Sequence, residues 1–184
     1  MAGPQQGIAI RQDMRFYGQT PQSALAYRLL RRKRVEGVLP MQFICDAPDR
    51  RTWFRIETEG EAAAESAVMR HAVEKYFRRE HASAAAGYRP APATNYIERD
   101  IGLGAHVLRT MPLFLTLREA DGTPLATAML PPGGKETDGF RMIVVGPANA
   151  DPFGAHDAAI QALAAHYGLT LSRARCYPYQ NQGV

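Results

Sequence analysis

Two cysteines and five histidines are the groups in this sequence best suited to nucleophilic or metal chemistry. Cys176 with His106 or His156 would supply a thiol and a base, and Asp46 or Asp157 could orient that base, which is the minimum a cysteine hydrolase requires. Nothing in the spacing brings these residues together. A lone cysteine in an apolar setting behaves mainly as a small hydrophobic residue, and that is the expected state of Cys45 and Cys176. The histidines, His71, His81, His106, His156 and His166, show none of the paired Cys/His spacings that preorganise zinc, so no metal and no cofactor is expected. His71 and His156 fall at the edges of apolar helix faces. His81 and His166 fall near helix C-termini, where the dipole favours the protonated ring.

Gly133-Gly134-Lys135-Glu136-Thr137 has the composition of a phosphate-binding loop but not its pattern, which needs an earlier glycine and a following helix. Gly102-Leu103-Gly104 lacks the third glycine of a dinucleotide fingerprint. Glu57, Glu59 and Glu61, or Asp46 and Asp49, could supply paired carboxylates, although helix capping and turn formation already account for several of them.

Cationic side chains give a stronger signal. Arg28, Arg31, Arg32, Lys33 and Arg34 crowd into seven positions, with Tyr17 and Tyr27 close by. Guanidinium groups pair bidentately with phosphate or carboxylate, and tyrosines stack on bases, so this segment is the candidate site for nucleic acid or an acidic partner. The tail from Arg173 to Tyr179 combines arginines and tyrosines in a second such surface, or else pairs with a sheet edge.

The elements that must position these groups read as a folded chain of ordinary composition. It has 184 residues, 46% of them hydrophobic and 22% charged, with a net charge of +4, which fits one globular domain and excludes a disordered or fibrous class. No apolar run is long enough for a membrane helix. No signal peptide is apparent either, and two sparse cysteines suit a reducing compartment, so a cytoplasmic location is expected.

A short strand over 7–12 and a helix over 21–32 open the chain. Residues 38–44 and 52–56 form a hairpin turning at Pro48-Asp49. Thr58 and Glu61 make a capping box for a helix whose stripe runs from Val68 through Met69, Ala72, Val73 and Tyr76 to Phe77. The alanine- and proline-rich stretch from Ser83, extending to about residue 96, reads as a connection between two halves. A second hairpin flanks Asp121-Gly122, Phe140–Val145 has the pattern of a central strand, a helix over 152–167 stops at Gly168, and Leu169–Ser172 forms a last strand.

The fold class is therefore α+β, an antiparallel or mixed sheet with helices packed mainly on one face, each half a hairpin followed by a helix in a duplicated ββα pattern. Without a catalytic constellation the chain reads first as a non-catalytic interaction or accessory protein with a protein partner or self-association. Nucleic-acid binding through Arg28–Arg34 ranks second, and a small cysteine-dependent hydrolase third.

Overall fold

The computed structural model describes residues 41–92 and 95–181. The basic residues Arg28, Arg31, Arg32, Lys33 and Arg34, the tyrosines Tyr17 and Tyr27, and the first strand and helix expected from the sequence lie outside them.

Strands β1 (Gln42–Ala47), β2 (Arg51–Ile56), β3 (Leu113–Arg118), β4 (Pro124–Leu130) and β5 (Ile143–Val145) form one antiparallel sheet in which each strand pairs with its sequence neighbours. Helices α1 (Glu59–Met69), α2 (Val73–Ala86) and α3 (Tyr96–Thr110) are inserted between β2 and β3, and α4 (Phe153–Tyr167) follows β5. The class is α+β. Three residues, Pro48, Asp49 and Arg50, join β1 to β2; Asp49 and Arg50 both take positive φ and the Arg51 amide donates back to the Pro48 carbonyl, closing the turn. In the second, the Asp121 carboxylate accepts from the Thr123 amide and Gly122 takes a φ of 93°.

Alternation along the strands divides the core in two. Phe114, Met129 and Ile56 point to one face, where they meet Ala62 of α1, Val73 and Phe77 of α2 and Val107 of α3. Trp53, Leu115, Leu117, Ala126, Ala128 and Leu130 point to the other, beneath Ala159, Ile160, Leu163 and Ala164 of α4. Three of the four described helices thus share one face, and α4 covers the other. Gly168, at φ 67°, ends α4: the Leu169 and Gly168 amides donate to the carbonyls of Ala164 and Ala165, closing the helix in a left-handed turn.

Five elements differ from the sequence reading. The stripe from Val68 to Phe77 is not one helix, because Arg70 adopts φ 53° and ψ 47° and turns the chain between α1 and α2. Ser66 on α1 holds the corner by accepting from the Glu74 amide in the first turn of α2. The connection begins only after Ala86, since alanine-rich residues 83–86 prolong α2 at little cost until Gly87 stops it. Helix α3 was not anticipated at all, although Asn95 and Glu98 form a capping box at its start. Finally, the strand expected over 140–145 is only Ile143–Val145, at the sheet edge, and in the segment Leu169–Ser172 the two leucines, Leu169 and Leu171, pack inward without joining the ladder; Tyr177 instead makes a single parallel bridge to Ile143.

Candidate functional site

The corner at Arg70 places His71 over the face of the sheet that α1, α2 and α3 cover, beside Thr127 in the middle of β4. There a continuous polar chain runs through otherwise apolar packing. Arg118, at the end of β3, pairs with Glu65 of α1, whose side chain is fully buried. The Thr127 hydroxyl donates to Glu65 Oε1 at 2.9 Å, and His71 Nε2 lies 2.8 Å from the same hydroxyl oxygen. Counting protons fixes the tautomer. The Thr127 hydroxyl has one proton and donates it to Glu65, so His71 supplies the proton of its own bond from Nε2. His71 Nδ1 is then a bare acceptor, buried and without a hydrogen-bond partner.

This arithmetic bears on chemistry. A threonine nucleophile needs its proton directed at a base, whereas Thr127 spends its proton on Glu65 and receives one from His71. The chain orients His71; it does not activate Thr127.

Beside it opens a cleft of about 280 Å³. Its walls are the first turn of α2 with Tyr76, the edge formed by β4 and β5, the turn carrying Asn149 at φ 62°, and the C-terminal segment at Tyr177 and Pro178. Phe114, Met129, Ile143 and Val145 make it largely apolar. Every lining side chain is uncharged or, as His71, neutral when deprotonated; no Asp, Glu, Lys or Arg is among them.

Burial lowers the His71 pKa below its ordinary value, against smaller raising effects from its own backbone and from Glu65. The sign of the resulting pH dependence follows. The unfolded chain takes up the proton more readily, so this contribution to stability is complete above the unfolded pKa of about 6.5 and is lost as pH falls from there through the folded pKa. His156, lowered by burial and then by Arg51, acts in the same direction. Denaturation free energy is therefore expected to fall between about pH 7.5 and 5.5, and His71→Gln should flatten part of that slope; an unchanged slope would assign the whole effect elsewhere.

The residues singled out in the sequence are dispersed. Cys176 is fully buried and its thiol is pushed up to about 11 by burial, and Cys45 on β1 is pushed up to about 12 by burial and by Asp46, the reverse of what a nucleophilic thiol needs. His106 packs against the ring of Tyr88, and His156 faces the Arg51 guanidinium at 3.4 Å. Asp157 accepts from Gln161. Gly133 and Gly134 form a tight turn at positive φ, and a Cβ on Gly134 would run into the ring of Tyr167, so close packing accounts for that glycine. Glu61 caps α1 and Glu59 pairs with Arg78. In the tail, Arg173 pairs with Asp151 at 2.6 Å and Arg175 with Glu136, while the buried Tyr179 donates its hydroxyl to the carbonyls of Asn149 and Ala150. Among the described residues no group of three His, Cys, Asp or Glu side chains gathers as metal ligands would, and no helix is long and apolar enough to cross a membrane.

Glu65, Arg118 and Thr127 were not singled out in the sequence. One signal did exist: Ala62, Glu65 and Met69 recur at spacings of three and four and are all buried, so the carboxylate interrupts an apolar stripe.

No protein-family model, curated protein or solved structure matches the chain.

Proposed function

We propose that the protein is a non-catalytic binding module whose cleft takes a small, uncharged, largely apolar molecule. The observation that carries this reading is the uncharged lining of the cleft beside a buried polar chain that holds His71 in one orientation. Pockets for small ligands are commonly apolar with a few placed polar groups. An anion or cation entering here would lose its hydration with no opposite charge among the lining residues to replace it. Both thiols and the Thr127 hydroxyl are ill-suited to attack a substrate, which favours binding over turnover. The Arg28–Arg34 segment has no part in this reading.

Indole and its 3-acetate derivative serve as probes of similar shape and different charge. Titration calorimetry or ligand-observed NMR should show indole binding with a Kd on the order of 1 mM, as expected for so small a ligand, and the acetate binding at least about tenfold more weakly. Ala72 is exposed at the cleft rim, so Ala72→Trp should block indole without disturbing the fold. Equal affinity for the two probes, or indole binding that survives Ala72→Trp, would overturn the reading.

A further inference from the structure

Helix α3 is apolar on two opposite sides. Leu103 and Val107 face inward against the core shared with Val73, Phe77 and Phe114, and Gly102 lies against the hydroxyl end of Tyr88. On the far side Ile97, Ile101, Gly104 and Leu108 follow one another at spacings of four, three and four residues, the spacing with which one helix seats against another. Ile97 and Ile101 are 68% and 69% exposed, Leu108 is exposed as well, and a side chain at Gly104 would meet open space. A solvated helix face ordinarily carries polar residues there, so this stripe lacks the second surface its pattern calls for.

We infer that the stripe is a self-association surface, on which α3 of a second copy of this chain packs antiparallel about a two-fold axis. Charge selects the occupant and its direction. Glu98 and Arg109 stand on the same flank of the stripe, near opposite ends of the helix. In an antiparallel pair each Glu98 comes beside the other copy's Arg109, and the symmetry repeats the contact. A parallel pair would instead bring Glu98 of one copy toward Asp100 of the other, acid against acid. Gly104, near the middle of the stripe, lets the two backbones approach closely. The flanks carry acids and bases in balance, unlike the strongly basic polar face that suits a helix lying on an anionic membrane.

Sedimentation equilibrium of the full chain, from micromolar to near-millimolar concentration, tests this. The wild type should dimerise, and Ile101→Asp should give a monomer whose circular dichroism and thermal unfolding match those of dilute wild type. Glu98→Arg and Arg109→Glu should each weaken the dimer roughly threefold to tenfold, and the two changes combined should recover the part of that loss due to charge, though not the α3 cap that Glu98 also supplies. A wild type that stays monomeric throughout, or a dimer unaffected by Ile101→Asp, overturns the inference. So does a dimer that Glu98→Arg strengthens, since that outcome identifies a parallel pair. If Ile101→Asp destabilises a chain whose mass never changes, the stripe is covered within one molecule and the proposal fails.

Discussion

Glu65→Ala is expected to lower the unfolding free energy by about 3–5 kcal/mol, a loss far larger than any surface ion pair produces. Removing the carboxylate leaves the Arg118 guanidinium, whose side chain is only 20% exposed, with the Gly122 carbonyl at 2.9 Å in place of its counter-charge, and it strips the Thr127 hydroxyl of its acceptor. Both penalties arise from polar groups abandoned in an apolar setting, not from the intrinsic strength of the pair. The distinction can be measured. Glu65→Leu combined with Arg118→Met removes both charges and should recover most of the stability lost in Glu65→Ala, whereas Arg118→Met alone should be costly because it strands the carboxylate. Chemical denaturation of the three variants checks this; a loss below about 1 kcal/mol in Glu65→Ala would show that the chain is not desolvated.

Trp53→Ala should have a comparable effect from the other side of the sheet. Trp53 is the single tryptophan, it is fully buried beneath α4, and its indole Nε1 donates to the Ala159 carbonyl at 2.8 Å. Truncation removes the largest side chain of that core and leaves a void between sheet and helix, costing about 3–5 kcal/mol. For a chain of this size that lowers Tm on the order of 10 °C. Trp53→Phe keeps most of the volume and loses the hydrogen bond, so its cost should be nearer 1 kcal/mol. Thermal unfolding of the two variants separates packing from hydrogen bonding. Near-equal losses would mean that the indole N–H, not its bulk, holds α4 in place.

These two positions also show how far the sequence could be read. Period-two alternation in Thr52–Ile56 puts Trp53 opposite Phe54 and Ile56, which from sequence alone leaves it either facing a partner or covered by another element; the structure covers it with the helix that Asp151 and Gly168 bound. Both hairpins were legible for the same reason: turn chemistry and alternation are local. For Glu65 the sequence offered only a carboxylate set into the stripe of Ala62 and Met69; its pairing was not legible, because its partners Arg118 and Thr127 lie more than fifty positions away and only the sheet register brings them together. The corner at Arg70 left no trace either. A non-glycine residue in the left-handed region is set by tertiary contacts, here Ser66 on the Glu74 amide and His71 on Thr127, and without that corner the residues of α1 and α2 read as one uninterrupted helix. As a result His71 looked like a boundary residue of a long helix when it is the polar end of a cleft. Helix α3 is a different case. Its Asn95–Glu98 capping box was present to be read, and the apolar residues on its outer side confuse the single-stripe pattern by which a surface helix is ordinarily recognised.

Amide chemical-shift mapping with unlabelled indole on the ¹⁵N-labelled full chain tests the binding reading most directly. The account predicts saturable shifts confined to residues 71–76, 127–129, 143–149 and 177, together with a change in the His71 ring nitrogens that leaves Nε2 as the protonated one. Shifts that stay linear in indole concentration, or that centre on any other face of the sheet, would contradict it.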